Sequence, residues 1–341
     1  MAKKLNYFFL FISILIFVSS PAFADPYKKL SEYKFFDDLK NQIPSKDTVP
    51  YRIANPLFSD YSYKFRFVHF PNNKFANYNF DTVFDFPVGS TIIKTFAYPI
   101  DERNLEKGFK LLETRLLIKK ENGWMPISYI WDKKNEDAEI KYTGHTFNLS
   151  WINKVGLERS LRYRAPNVNQ CKTCHEVNNK IKPIGPKGRN MNVIFDYSEG
   201  KFNQIKYWEN KGLLKNIPNN LNSNPAIWDN ENYHINDRAR SYLDANCAHC
   251  HRVGGSASNS GFYLDLKEKD PVTLGILKTP VAAGRGSGGL KYIINPGKAK
   301  ESILLYRMDS IDPGVMMPEL SRNLKHDEAI PIIKDWINQL D

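Results

Sequence analysis

The sequence predicts an α+β chain: an antiparallel β-rich, sandwich-like N-terminal domain followed by an α-helical C-terminal domain. Three observations carry this. Between residues 61 and 151, short segments alternate aromatic or aliphatic with polar residues and are separated by turn residues, the period of half-buried strands. From residue 236 onward, apolar residues recur instead at helical spacing. Between the two, residues 216–232 form a polar tract rich in Asn and Pro, the composition of a linker at a domain boundary.

Taken in order, Lys3 and Lys4 precede an apolar run at 7–18, and Ala22-Phe-Ala24 offers small residues to a signal peptidase. Residues 1–24 are therefore expected to be an export signal cleaved before Asp25, giving a periplasmic protein. The run is too short for a comfortable transmembrane helix, and no stable membrane span is expected after its removal. Residues 25–165 make the β-rich domain. A short helix is expected at 37–42, then strands at 61–70, 82–86 and 90–96, with Pro87-Val-Gly89 as a turn. Strands at 115–119 and 125–131 join at Glu121-Asn-Gly123, and strands at 139–142 and 146–151 complete the set.

Composition shifts near Tyr163. Residues 166–232 hold a loop, an irregular Pro- and Gly-rich wrap at 180–192, a helix at 203–214 and the linker. Residues 233–341 open with a helix for which Asn236 is the expected N-cap, with Ala239, Tyr242 and Leu243 on one face. Loops follow at 254–261 and 280–289, then a helix at 300–308, a loop at 309–318 and a terminal helix at 327–340. That last helix places Ile330, Ile333, Trp336, Ile337 and Leu340 together.

The formal net charge is +11, which favours acidic partners. The charges are scattered, so a solvated surface is the default reading of them and an acidic redox partner the alternative; no nucleic-acid motif is present, and the expected partners are redox proteins, such as a cytochrome or a dehydrogenase, rather than nucleic acid. Aromatic content is high enough to exclude extended disorder.

Cysteine usage decides the chemistry. The chain has four cysteines, all in two Cys-x-x-Cys-His units: Cys171, Cys174, His175 and Cys247, Cys250, His251. None remains for a structural disulfide, although an exported chain would permit one. Two cysteines one helical turn apart can each form a thioether with a porphyrin vinyl group, and the following His can bind the iron; this is the attachment signature of c-type haem. Two covalently bound haem c groups are expected, with His175 and His251 as proximal ligands. The alternatives fit less well. Neither unit lies in the βαβ context of a thioredoxin-like motif, the spacer between the pairs far exceeds that of a zinc ribbon, and disulfides leave the two histidines unexplained. His249, inside the second unit, is expected to be a solvent-facing spacer.

Met or His is the usual distal ligand in electron transfer. Met316-Met317-Pro318, in a loop before the terminal helix, supplies the candidate for the second haem, with Met317 favoured over Met316. For the first haem Met191, His145, His234 and Met308 are candidates without a preference. The stretch Gly284-Arg-Gly-Ser-Gly-Gly289 lacks the Lys-Ser/Thr ending of a P-loop. Arg285 within it is a candidate partner for a haem propionate, with a plain surface turn the equal alternative.

The stretches Phe86-Pro-Val-Gly-Ser-Thr-Ile-Ile-Lys-Thr-Phe96, Glu113-Thr-Arg-Leu-Leu-Ile118, Asn169-Gln-Cys-Lys-Thr-Cys-His175, Asp244-Ala-Asn-Cys-Ala-His-Cys-His251, Pro280-Val-Ala-Ala-Gly-Arg-Gly-Ser-Gly-Gly289 and Met316-Met-Pro-Glu-Leu320 resemble a bacterial family of dihaem c-type cytochromes. Residues from 236 onward resemble a small cytochrome c domain. The β-rich segment resembles regions fused to quinoprotein sugar dehydrogenases. Met191 stands where this pattern shows Leu. The resemblance implies a periplasmic or surface dihaem protein but no defined substrate. The expected function is electron transfer between periplasmic redox partners. The competing readings are a dihaem peroxidase-like or other small-molecule haem enzyme using the first haem, and a relay subunit whose β-rich domain docks a dehydrogenase.

Overall fold

The computed structural model describes residues 25–221 and 224–341; the expected export signal lies outside them. The chain is α+β with antiparallel sheets. Six strands form one sheet: β1 (Thr48–Pro50), β2 (Tyr63–His69), β3 (Thr91–Pro99), β4 (Phe109–Lys120), β5 (Gly123–Trp131) and β6 (Ala138–Ile140). They lie side by side in chain order, every neighbour antiparallel. Short connections make this meander the natural outcome. At the β4–β5 turn Lys120 pairs with Gly123, whose φ is +133°, a conformation that glycine takes without strain.

One face of the sheet packs Phe67, Ile93, Leu116, Ile127 and Tyr129 against Leu30 and Phe35. The other face is divided. At one end Phe96, Tyr98 and Leu112 are covered by a separate hairpin, β7 (His145–Ile152) with β8 (Glu158–Ala165), through Leu149, Trp151, Leu161 and Tyr163. The architecture is thus a six-stranded sheet with a two-stranded hairpin across one face, not two sheets of similar size.

Several local expectations are corrected. Residues 37–42 form a hairpin turn rather than a helix: Asp38 accepts from the Asn41 backbone N–H and side chain, and Gln42 takes a positive φ of 55°. Residues 82–86 make only the bridge between Asn77 and Asp85; Phe84 and Phe86 are buried in a core with Trp208 and Met191. The helix expected at 203–214 is α2 (Gln204–Asn210), with Asn203 as its cap, and Leu214 instead pairs with Ala76.

The C-terminal part is helical. Helix α3 (Ile235–Asn246), helix α4 (Ile303–Met308) and helix α5 (Ala329–Asn338) enclose a core of Ala239, Tyr242, Leu243, Leu304, Ile333, Trp336 and Ile337. The N-cap of α3 is His234 rather than Asn236: His234 Nδ1 accepts from the Asn236 N–H. Asn236 Oδ1 accepts from Trp336 Nε1 at 3.1 Å, tying α3 to α5. The two parts interlock. Phe58 N–H donates to Asn246 Oδ1 at 2.7 Å, and buried Asp60 accepts from the Asn323 and Leu324 N–H groups. Among the described residues no helix is long and apolar enough to cross a membrane.

Candidate functional site

Both Cys-x-x-Cys-His units sit at the end of a helix, where a turn of backbone can present two sulfurs and an imidazole together. The first occupies α1 (Val168–His175), opened by a reciprocal cap: Asn167 accepts from the Gln170 N–H at 2.9 Å, and Gln170 Oε1 accepts from the Asn167 N–H at 3.0 Å. Asn178 and Asn179, both with positive φ, then reverse the chain in a tight turn. That turn brings the Lys182 carbonyl to His175 Nδ1 at 3.1 Å. The second unit starts at the C-cap of α3, with the Cys247 N–H bonded to Leu243 O. His251 Nδ1 lies 3.2 Å from the Phe262 carbonyl, and its ring meets Phe262 edge-on at 5.0 Å.

The two histidines are therefore held alike. A carbonyl at Nδ1 fixes the tautomer with the proton there and leaves the Nε2 electron pair for a metal. Burial lowers the proton affinity of both; His175 is down to about 3, with Lys94 the next cause. Burial thus favours the neutral imidazole at both positions, the form a metal ligand needs. All four cysteines are unbridged.

Beside the second unit is a cavity of about 350 Å³, walled by Phe58, Tyr242, Phe262, Leu264, Ile293, Leu304 and Ile330, and lined also by Cys247, Cys250, His251 and Met317. Apolar walls with a few convergent polar groups suit a flat, hydrophobic cofactor. Met317 lines this cavity, whereas Met316 is buried away from it. Arg285 is not among its lining residues: it is exposed and ion-paired with Asp312 at 2.5 Å. The arginines that do line the cavity are Arg307 and Arg322. Arg322 is buried, and its Nε has no hydrogen-bond partner. Sequence reasoning missed both; no local pattern marks them.

A second missed feature faces the first unit. On one face of the sheet the cross-strand register aligns Arg66, Lys94 and Arg115 on β2, β3 and β4, with Lys64 and Glu113 in the next row. Glu113 is fully committed: it accepts two bonds from Arg115, one from Ser128 and one from Tyr163. Among the described residues Lys64, Arg66 and Lys94 have no ion pair. Burial, then Arg115 and Arg66, pull Lys94 down to about 7. A row of like charges at this spacing is unfavourable unless an anion neutralises it.

The units themselves touch. One ligand atom each from Cys174, His249 and Cys250 lie within 4.8 Å of one another. Cys250 and Ser256 both donate to the Thr173 carbonyl, at 3.1 and 2.7 Å. Cys174 hydrogen-bonds to Cys250, which pulls the Cys250 thiol down and pushes Cys174 up. His249 is buried, not the solvent-facing spacer expected, because this contact covers it. Of the first-haem candidates, Met191 is fully buried in the core with Trp208, His145 is exposed against Phe147, His234 caps α3 and Met308 lines the second cavity. Compared with known proteins, the chain matches no family model, no curated protein and no solved structure.

Proposed function

We propose that this chain is an exported dihaem c-type cytochrome, with a cytochrome c-like C-terminal domain, that passes electrons between redox partner proteins. The observation that carries the reading is the second unit: two cysteines, a neutral histidine with Nδ1 tied to a carbonyl, and a methionine all border one apolar cavity. Cys171 and Cys174 would hold one haem and Cys247 and Cys250 the other. His175 and His251 would be proximal ligands, and Met317 the distal ligand of the second.

Haem supplies a one-electron iron couple. The chain supplies the rest. Thioether-forming cysteines keep the cofactor in place, the carbonyls of Lys182 and Phe262 orient the imidazoles, and the apolar wall excludes water from the second site. Arg307 and Arg322, with the row on the sheet, are the cations available to cofactor carboxylates.

One observation favours a second reading. Cys174, His249 and Cys250 have the residue types and closeness of a zinc site. That reading leaves Cys171, Cys247, His175 and His251 without a role, so haem accounts for more of the structure. Metal analysis of the mature protein separates the two: iron at two per chain with a haem spectrum supports the cytochrome, and stoichiometric zinc without haem overturns it.

A further inference from the structure

We infer that Arg66, Lys94 and Arg115 form a seat for an oxyanion, a carboxylate or phosphate group, beside the first Cys unit. The register sets Arg66 directly opposite Lys94, and Lys94 directly opposite Arg115, on β2, β3 and β4. Directly opposed side chains start about 5 Å apart, so three cations stand in one line across the sheet. Lys64 adds a fourth in the next row. Two of the charged heads converge rather than splay: Lys94 Nζ and the Arg115 guanidinium carbon lie 4.9 and 4.1 Å from the centre of the Phe96 ring.

The negative charge nearby is already spent. Glu113 gives its oxygens to Arg115, Ser128 and Tyr163. Asp60, which attracts Lys64, accepts from Asn323 and from the Leu324 N–H. Lys64 Nζ and Arg66 Nη1 reach only backbone carbonyls, those of Ser62 and Lys64. Among the described residues Lys94 Nζ meets the Phe96 ring but no hydrogen-bond acceptor. A ring face attracts a cation but carries no net charge, so the repulsion along the line stands. The four side chains are half-buried, held in place yet open to a small ligand.

The surroundings suit an anion. On the same face Val68, Ile92 and Leu117 bound the line on one side and Phe96 on the other, and apolar neighbours strengthen the pull between unlike charges. An oxyanion among opposed cations replaces repulsion with charge-assisted hydrogen bonds. Helix α1 and the strand Lys180–Ile181 lie against β5, next to the strand of Arg115, and the charges of Lys94 and Arg115 act on Cys171, Cys174 and His175. The oxygens have two sources: a carboxylate of a cofactor on the first unit, or a free small anion that enters beside it. Only the first source depends on the cytochrome reading.

The test uses the mature full-length protein, its haem count established first, with inorganic phosphate as the probe against chloride of equal ionic strength. For a free anion, calorimetric titration should show a single phosphate site. Arg66→Met and Lys94→Met should each weaken it by about ten-fold or more, the scale of one hydrogen bond to a charged group. For a cofactor carboxylate, phosphate should not bind, and the same substitutions should shift the haem propionate bending modes in the resonance Raman spectrum. Either pattern supports the seat. Phosphate binding that neither substitution weakens, or the absence of both signals, overturns it. Should a Met variant fail to accumulate, Arg66→Gln and Lys94→Gln, which keep a polar side chain, carry the same comparison. A haem count of zero overturns the cytochrome reading but leaves the phosphate titration to decide the seat, so the two failures are distinguishable.

Discussion

Replacing Asp244 by Asn should weaken the joint between the two parts of the molecule. Asp244 lies on α3, three residues before Cys247, and accepts from Arg189 at 2.6 and 3.0 Å. The side chains are only 8% and 4% exposed. Removing one partner of a buried pair strands the other charge and costs about 3–5 kcal/mol. Here the loss is partly offset. Asp265 and Asp81 stand 3.7 and 3.9 Å from the same guanidinium, and Asn keeps one acceptor oxygen. An effect of about 2–3 kcal/mol is the resulting expectation, toward or below the low end of that range. Guanidinium unfolding of wild type and Asp244→Asn reads it directly. A double-mutant cycle with Arg189→Met should return a coupling of about 1 kcal/mol or more. A loss below about 0.5 kcal/mol, the scale of an ordinary surface substitution, would refute the claim that this pair holds the parts together.

Acid should destabilise the protein through His326, which stacks on Phe58 with ring centroids 4.1 Å apart and lies 3.1 Å from the Tyr242 hydroxyl. Burial pulls its pKa from 6.5 to about 4, so the unfolded chain binds the proton more tightly. Its stabilising contribution is complete above 6.5 and is lost as pH falls toward 4, at about 1.4 kcal/mol per pH unit; unfolding measured across that window should show the slope reduced in His326→Gln, and an unchanged slope would contradict it. Met317→Ala should turn only the second haem high-spin and lower its potential, seen by spectroelectrochemistry. Measured below pH 6, where Lys94 is charged, Lys94→Met should lower the potential of the first haem, because a lost cation disfavours the reduced iron; a unit charge acting over roughly 10 Å at an effective dielectric near 20 is worth about 1.7 kcal/mol, or on the order of 70 mV for one electron. A potential that rises or stays fixed would place the row away from that haem.

What the sequence disclosed depended on whether the signal was local. The alternation at 61–70, 90–96 and 125–131 produced strands because alternate residues point to opposite faces of the sheet. The apolar spacing in α3 and α5 survived for the same reason. β8 was missed although Leu161, Tyr163 and Ala165 alternate with exposed Arg162 and Arg164; the charged half of the pattern masked it. The short strand expected at 82–86 failed because Phe84 is buried against Trp208 and Phe86 against Phe70 and Trp124. In the candidate site, the two Cys units were legible as motifs, but not their mutual contact, since no local pattern pairs Cys174 with Cys250 so far along the chain. Arg285 looked free in its glycine-rich turn and is engaged by Asp312. The cationic row needed the register of three strands before Arg66, Lys94 and Arg115 became neighbours.

Whether each Cys unit carries a haem is decided most directly by the intact mass of the mature protein together with its pyridine haemochrome spectrum. The expected result is a mass raised by two haems, a c-type spectrum at two per chain, and no cysteine open to alkylation after denaturation. A haem-free mass with four alkylatable thiols would contradict it.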